Sequence, residues 1–381
     1  MPYLHIDIHV AQSSKQVEKP CGDVTGYVRK RNETVFIICD GLGSGITANI
    51  NANLCLARIR QLVLGGVSLR KIFASVARTM EEAKAEDLPY SVFSIARITE
   101  AGFLTVLSYE MPEVLMVTSN HIEDLPRKEI VIDDIKGYES LARLKPYEGV
   151  ILLSDGIVES GLGEKYLKGW GIDGVLKYAN YSYGKSIKIG ELPSLIHKKA
   201  VDISGKKYSD DATVVLLVSR PGRVLNIMTG PPGLKTEDRR VAEEFKEQDG
   251  LKVIAGGATA EIYARNVNLE LKYEKVEPDS IEPPCSYIDG IELVTEGVVT
   301  LNQVLRLIED HEFSDTESAV GRLCFFLRNA DFVRFYVGRA GNSAHNNIVF
   351  RQQGLLPRFD VIRQLVETLE KMGKLAIVEK V

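Results

Sequence analysis

Short apolar runs dominate the first 220 residues and predict strands. Residues 3–10 (YLHIDIHV) alternate apolar and polar side chains, which is the period of a half-buried strand. Residues 34–39 (TVFIIC) are continuously apolar, as in a strand covered on both faces. Because further runs follow over short links, the pattern favours antiparallel pairing. These runs cover residues 91–98, 103–109, 113–118, 149–153 and 212–218.

Two segments of the same region have the spacing of helices. One begins at Ser44, a predicted N-cap, and stops at Gly65. Its apolar side chains recur every three or four positions, at Ile46, Ile50, Leu54, Ala57 and Val63. The second predicted helix spans about Ser68 to Ala85.

The pattern changes where Pro221 and Gly222 interrupt it. Beyond them strands and helices alternate, which predicts a second domain of mixed α/β type. We therefore divide the chain into residues 1–220 and 224–381. The predicted order in the second part is strand 224–229, helix 236–248, strand 251–255, helix 259–266, strand 291–295, helices 300–309 and 316–328, strand 331–337, helix 357–372 and strand 374–379.

Composition narrows the classes of protein. The 381 residues are 45% hydrophobic, which indicates a globular chain, and the net charge of −5 argues against a nucleic-acid-binding protein. No apolar run approaches the ~20 residues of a membrane span, and the first residues lack the pattern of a secretion signal. Five scattered cysteines without C-x-x-C spacing indicate reduced thiols and a cytoplasmic location.

Aspartates stand at the ends of the strands that should be most buried. Asp40 follows TVFIIC, Asp155 follows GVILLS, and Asp210 and Asp211 precede ATVVLLV. Asp23 precedes the strand that ends at Asp40. A lone Asp-Gly is usually a turn, but a set of carboxylates at buried strand ends costs several kcal/mol unless a cation neutralises it. All-oxygen ligands point to Mg²⁺ or Mn²⁺, and the glycines after Asp40 allow a tight turn into the next helix.

Four motifs carrying these aspartates resemble a known family. CGDVTG (21–26), CDGLGSG (39–45), LLSDGIVES (152–160) and SDDATVVLLV (209–218) are similar, in this order, to the motifs of metal-dependent protein phosphatases. The similarity is closest to the bacterial stage II sporulation protein E (SpoIIE) type, within the PPM, or type 2C, superfamily. It covers about residues 1–219.

The resemblance implies an α+β fold, a four-layer α/β/β/α sandwich of two antiparallel sheets with a dinuclear metal site. It implies that Asp40 bridges two Mn²⁺ or Mg²⁺ ions beside the Gly41 carbonyl, and that Asp23 serves the second ion. Asp155 and Asp210 hold the first, with Asp211 and Thr213 as neighbouring ligands, and Asp211 is the alternative to Asp210 as the direct ligand. The residues give no position for a phosphate-binding arginine, with Arg29 and Lys19 near only in sequence. His5 and His9 fall on the polar face of the first predicted strand.

The implied activity is hydrolysis of phosphoserine or phosphothreonine on a bacterial regulatory protein, such as an anti-sigma antagonist. Asp40, Asp155 and Asp210 are then the catalytic set, and two ions ~3.5–4 Å apart activate a water for in-line attack. The alternative is a catalytically weak signalling scaffold whose C-terminal domain senses an anionic ligand. The partners expected are a phosphoprotein and that ligand, without nucleic acid or membrane.

The second domain carries weaker signals. TGPPG (229–233) and IAGGATAEIYARN (254–266) each place glycines between a strand and a helix. Such turns bind anions at helix N-termini, or simply permit a tight turn. Neither matches a P-loop or the full dinucleotide fingerprint. A polar segment, 338–347, adds Asn342, Ser343, His345 and Asn346 as candidate pocket residues, and we expect a regulatory or ligand-binding role.

Overall fold

The computed structural model describes residues 3–15, 18–43, 45–163, 165–185, 187–205, 210–273, 286–310, 317–340 and 354–381. Its contacts divide the chain into two compact units, residues 3–221 and 222–381. None of the helices in the described ranges has the length and apolar character that crossing a membrane requires. Both units combine helices with sheets, and the sheets of the first are antiparallel, as the sequence predicts.

Eleven strands are described in the first unit and form two sheets. The strands are β1 (Leu4–Ser13), β2 (Asp23–Lys30), β3 (Glu33–Gly41), β4 (Ser91–Thr99), β5 (Phe103–Tyr109), β6 (Leu115–Val117), β7 (Ile122–Asp124), β8 (Arg127–Ile132), β9 (Ile135–Arg143), β10 (Gly149–Leu153) and β11 (Ala212–Pro221). One sheet has the order β2-β3-β4-β5-β9-β8, and the other has the order β1-β11-β10-β6-β7. The hydrophobic pattern did not identify β2, β7, β8 and β9, because their side chains are partly exposed and their apolar runs are short.

Strand β11 shows how alternation places this sheet between two cores. Val215 and Leu217 lie in a hydrophobic cluster with Phe36 and Ile38 of the six-stranded sheet. Val214 and Leu216 lie in a second cluster with side chains of the helices on the other face. The strand is therefore apolar throughout because both of its faces are covered.

The helices of the first unit pack on the outer faces of these sheets. They are α1 (Ile46–Leu64), α2 (Leu69–Ala85), α3 (Asp155–Val158), α4 (Gly171–Tyr183) and α5 (Leu192–Ile203). Helices α1 and α2 contribute to the cluster of the six-stranded sheet, and α4 and α5 to that of the five-stranded sheet. The sequence pattern predicted only α1 and α2.

Helix α1 turns a different face inward from the one its spacing suggests. Ile46, Ile50 and Leu54 are exposed, and Ser44 lies outside the described residues, with Gly45 as the N-cap. The buried face instead begins with small residues, Ala48 and Ala52, followed by Cys55, Leu56, Ile59 and Val63. Small side chains are needed there because α1 contacts β2 and β3 closely.

The second unit is built on a largely parallel sheet. Its elements are β12 (Val224–Thr229), α6 (Asp238–Glu247), β13 (Leu251–Ala255), α7 (Gly257–Asn266), β14 (Lys272–Tyr273), β15 (Ser286–Tyr287), β16 (Leu293–Thr295), α8 (Val298–Leu307), α9 (Ala319–Asn329), β17 (Phe332–Val337), α10 (Arg358–Lys371) and β18 (Leu375–Lys380). The strands lie in the order β14-β15-β16-β13-β12-β17-β18, and β16, β13, β12, β17 and β18 are parallel to one another. Two hydrophobic clusters, one on each face, contain side chains of α8, α9 and α10 and of α6 and α7 respectively. Apart from the two-residue strands β14 and β15, which the sequence did not predict, the alternation of strands and helices is the predicted one.

Candidate metal centre

Two aspartates face each other across neighbouring strands of the six-stranded sheet. Asp23 at the start of β2 is the register partner of Asp40 near the end of β3. Asp23 is 1% exposed, and its Oδ1 is buried without a hydrogen-bond partner. Like charges at directly opposed positions are unfavourable, so the pairing calls for a neutralising group.

The other aspartates lie at the same end of the five-stranded sheet. Asp155 begins α3 directly after β10, and Asp210 and Asp211 precede β11, the neighbour of β10. Ser154 ties the two segments together, because its amide donates to the Thr213 carbonyl (3.0 Å) and its Oγ accepts from the Thr213 amide (2.8 Å). Antiparallel pairing therefore brings residues far apart in sequence to one edge.

Thr213 joins the two groups of aspartates. Its Oγ1 donates to Asp23 Oδ2 at 2.6 Å, although Asp23 belongs to the other sheet. Gln12 Nε2 donates both to Thr213 Oγ1 (2.9 Å) and to the Asp23 carbonyl (3.1 Å). The fold thus collects the five predicted aspartates from four separate segments of the chain.

Asp210 and Asp211 have different surroundings. Asp211 is buried, and its two carboxylate oxygens accept from the amides of Lys15 (2.8 Å) and Gly22 (2.9 Å). Asp210 is partly exposed, and its Oδ1 lies 3.9 Å from Lys15 Nζ. The Asp211 carboxylate is therefore already engaged in fastening two loop segments, whereas Asp210 is the more accessible of the pair.

Glycines allow the backbone segments of the centre to approach closely. A Cβ on Gly41 would collide with the Ala48 carbonyl of α1, and a Cβ on Gly156 with the Asp211 carbonyl. A Cβ on Gly22 would lie 2.7 Å from Asp211 Oδ2. Close packing therefore requires a glycine beside Asp23, Asp40 and Asp155, and the sequence alone does not reveal this requirement.

Burial and mutual repulsion dominate the electrostatics of the cluster. Burial, and then the charges of Asp23 and Asp155, raise the pKa of Asp40 to about 10. Burial raises the pKa of Asp23 to about 7, against the hydrogen bonds from Thr213 and Ser154, which lower it. Burial and the Asp210 charge raise the pKa of Asp155. A divalent cation would offset this repulsion and reverse the direction of these shifts.

The donor set suits a hard divalent cation. It consists of carboxylate oxygens, and the unpartnered Oδ1 of Asp23 is a buried acceptor that a cation would satisfy. As the side chains stand, no group of three His, Cys, Asp or Glu residues in the described ranges has the arrangement of a metal site. Asp40 and Asp155 instead share a hydrogen bond with each other.

Other candidates from the sequence have different surroundings. Arg29 lies six positions along β2 from Asp23 and donates to the Ile6 carbonyl at 2.8 Å. Lys19 lies beside Gly45, the N-cap of α1. His5 is buried rather than on the surface, since it is 6% exposed, and His9 packs against Gly190. Asn342, Ser343, His345 and Asn346 lie outside the described residues.

The site also contains residues that sequence reasoning missed. Ser154 and Gln12 hydrogen-bond to Thr213, and Lys15 supplies both an amide to Asp211 and a cation near Asp210. Ser154 lies inside a quoted motif, which was a usable signal. Gln12 and Lys15 follow the strand predicted to end at residue 10, and no local pattern marks them.

The family match ends where the structure divides the chain. The family model for stage II sporulation protein E (SpoIIE) matches residues 30–220, half of the chain. No curated protein matches the sequence.

Several solved structures are similar to this chain at low identity. The RsbU and RsbW domains of Rv1364c from Mycobacterium tuberculosis are 15% identical over 69% of this chain and 70% of theirs, with a TM-score of 0.50. The PP2C phosphatase domain of SpoIIE from Bacillus subtilis, with a fragment of its regulatory domain, is 15% identical with a TM-score of 0.49, and the match spans 58% of this chain and 65% of that one, just under two thirds. The SiaA-PP2C domain of Pseudomonas aeruginosa is 14% identical over 55% of this chain and 85% of its own, with a TM-score of 0.47. On the family match and the ordered aspartate motifs, this chain belongs to the stage II sporulation protein E (SpoIIE) family.

Proposed function

We propose that the chain is a Mn²⁺- or Mg²⁺-dependent protein serine/threonine phosphatase. The observation that carries the proposal is the meeting of five aspartates from four segments at one end of both sheets, with a buried Asp23 oxygen that has no partner. Such a cluster is costly unless cations occupy it, and the family is one of metal-dependent phosphatases.

In this proposal Asp40, Asp155 and Asp210 hold the ions, with Asp23 and the Gly41 carbonyl completing the set. When bound, a pair of such ions supplies Lewis-acid stabilisation of phosphoryl oxygens and lowers the pKa of coordinated water. Asp211 acts chiefly by holding the Lys15 and Gly22 amides in place. Thr213 holds Asp23 through its hydroxyl, which fixes the orientation of that carboxylate.

The cysteines of the described region do not favour a covalent alternative. Burial, together with the charges of Asp23 and Asp211, raises the pKa of the Cys21 thiol. Cys39 and Cys55 are buried, and burial also raises the pKa of Cys39. A thiolate nucleophile is therefore disfavoured at Cys21 and Cys39, which supports direct attack of water on phosphorus.

We assign the activity to residues 1–220, as a four-layer α/β/β/α sandwich, and a regulatory role to residues 224–381. The substrate we propose is phosphoserine or phosphothreonine on a bacterial regulatory protein. The shared fold with the RsbU and RsbW domains of Rv1364c supports the catalytic unit, and the substrate class rests on the family.

The test is hydrolysis of a phosphoserine peptide by the full chain with Mn²⁺ and with EDTA, comparing wild type with Asp40→Asn. We expect Mn²⁺-dependent turnover that Asp40→Asn lowers by about a hundredfold or more, since even changes around metal ligands cost about 10–100-fold. Asp124→Asn, an exposed aspartate of β7, is the matched control and should retain activity. Turnover by wild type in EDTA, or full activity in Asp40→Asn, would reject the proposed mechanism.

A further inference from the structure

A cavity of about 340 Å³ lies at the carboxyl ends of the parallel strands in the second unit. Thr229, at the end of β12, and Ala255, at the end of β13, line it, and Ala340 follows β17. From β12 the chain adds β13 and then β16 on one side of the sheet, and afterwards crosses to β17 and β18 on the other. Crevices at such a reversal of strand order are where open α/β sheets bind ligands.

Two helix N-termini meet at this cavity. Helices α7 and α8 begin after Gly256 and Gly297, and neither has a side-chain cap or an acidic residue in its first turn. A Cβ on Gly297 would lie 3.1 Å from Gly256 Cα, so the two N-caps are in direct contact. The first amides of α7 and α8 are thus left for another acceptor.

Arg358, the first residue of α10, is a buried cation in the wall of the cavity. Arg358 is 9% exposed. Its Nη1 donates to the carbonyls of Gly338 (3.0 Å) and Ala340 (3.4 Å), and its Nε is buried without a hydrogen-bond partner. No described carboxylate forms an ion pair with it, and burial lowers its pKa. Burying a guanidinium without an anion is costly, so this arginine calls for a negatively charged ligand.

The backbone around the arginine is shaped to admit it. Gly230 has φ +79°, and a Cβ there would collide with the Arg358 guanidinium. The Gly230 amide donates to Thr259 Oγ1 at 3.0 Å, which fixes this turn against the first turn of α7. The guanidinium is therefore held at the end of β12, beside the start of α7.

We propose that this cavity binds the phosphoryl group of a small phosphorylated metabolite. Two uncapped helix N-termini and a guanidinium offer donors from several directions, which suits the oxygens of a phosphoryl group better than a planar carboxylate. The volume lies at the lower end of the range for ligand sites. A dinucleotide is disfavoured because the turn after β12 lacks the G-x-G-x-x-G fingerprint, and Ala255 and Gly256 stand at the end of β13 where an acid usually holds the ribose.

Glu296 allows a second, independent test of this site by substitution. It is an exposed carboxylate in the lining of the cavity, next to the N-cap Gly297. Its charge opposes that of a phosphate bound nearby. Neutralising this carboxylate should therefore strengthen phosphate binding. Because Glu296 is exposed, its substitution should leave the stability of the fold nearly unchanged.

The experiment is calorimetric titration of the full chain with inorganic phosphate and pyrophosphate, in EDTA and in the Asp40→Asn background, so that the metal centre does not bind or hydrolyse the probes. We expect Arg358→Gln to weaken binding by about tenfold or more, the value of a hydrogen-bonded charge. Glu296→Gln should tighten it by about two- to fivefold. Glu261→Gln and Arg265→Gln, exposed on α7 outside the cavity, are matched controls and should leave the dissociation constant unchanged.

Several results would overturn the assignment. One is the absence of binding of either probe below about 10 mM. Another is a dissociation constant that neither Arg358→Gln nor Glu296→Gln alters. If circular dichroism shows that Arg358→Gln does not fold, an unchanged dissociation constant in Glu296→Gln is sufficient to reject the assignment. Tighter binding of malonate than of phosphate would reject the phosphoryl group in favour of a carboxylate.

Discussion

At the scale of single residues, Thr213 is the contact on which the proposed metal centre depends. Its hydroxyl donates to Asp23 Oδ2 and accepts from Gln12, so one side chain links the two sheets. We expect Thr213→Val to lower Mn²⁺ affinity by about 10–100-fold, because losing an orienting partner leaves the carboxylate free to turn away. Calorimetric titration with Mn²⁺ measures this directly.

Ser94→Ala is the matched control for that substitution. Ser94 Oγ and Ser108 Oγ form an equally buried hydrogen bond of 2.8 Å in the same unit, and neither hydroxyl bonds to an aspartate. Both variants should lose about 1 kcal/mol of unfolding free energy. Equal Mn²⁺ affinity in the two variants would show that Thr213 has no part in metal binding.

The aspartates themselves were predictable, because an acid directly after a continuously apolar strand is costly wherever the strand lies. The partners of these acids were not. Lys15 and Gln12 reach the centre only because β1 continues past Val10 to Ser13, and Val10 itself is 42% exposed despite its place in the alternation. Which acid of the Asp210–Asp211 pair is engaged also depends on loop amides, which are contributed by tertiary structure.

At the scale of elements, the spacing of apolar residues in α1 does not show which of them are buried. Ile50 is 52% exposed and Ile59 is fully buried, although both are isoleucines in the same helix. Ile59→Ala should therefore cost about 2–5 kcal/mol of unfolding free energy, and Ile50→Ala less than about 0.5 kcal/mol.

The measurement is urea unfolding followed by tryptophan fluorescence. Trp170, the single tryptophan of the chain, packs against Tyr178 in the first unit and so reports on that unit. Similar losses for the two variants would mean that the inward face of α1 has been assigned wrongly.

Element type was easier to predict than element face. The parallel strands and the helices of residues 224–381 matched because buried parallel strands are continuously apolar and amphipathic helices separate them. In residues 1–220, β8 and β9 escaped detection because their outward side chains break the pattern. The inward face of α1 escaped because close approach to β3 selects alanine, which carries little hydrophobic signal.

At the scale of the whole molecule, metal binding should be coupled to folding of the first unit. The crowded carboxylates oppose the metal-free fold, and an ion that binds only the folded state stabilises it by about 2.7 kcal/mol at a hundred times its dissociation constant. We expect Mn²⁺ to raise the thermal midpoint followed through Trp170, and Asp155→Asn to abolish the rise.

Asp124→Asn again serves as the control, because Asp124 is exposed on β7. It should show the same rise with Mn²⁺ as wild type. A rise of wild-type size in Asp155→Asn would place the ions elsewhere on the chain.

The pairing of β1 with β11 has a consequence for synthesis of the chain. Leu4 pairs with Pro221, and Gln12 with Thr213, so a strand near the N-terminus is bonded to one made some 200 residues later. A ribosome adding about 5–20 residues per second needs roughly 10–40 s to cover that interval. During that time β1 has no partner strand in its sheet, and the nascent chain must keep it from aggregating. Asp210 and Asp211 are made just before β11, so the proposed metal centre is completed only when this last strand of the unit leaves the ribosome.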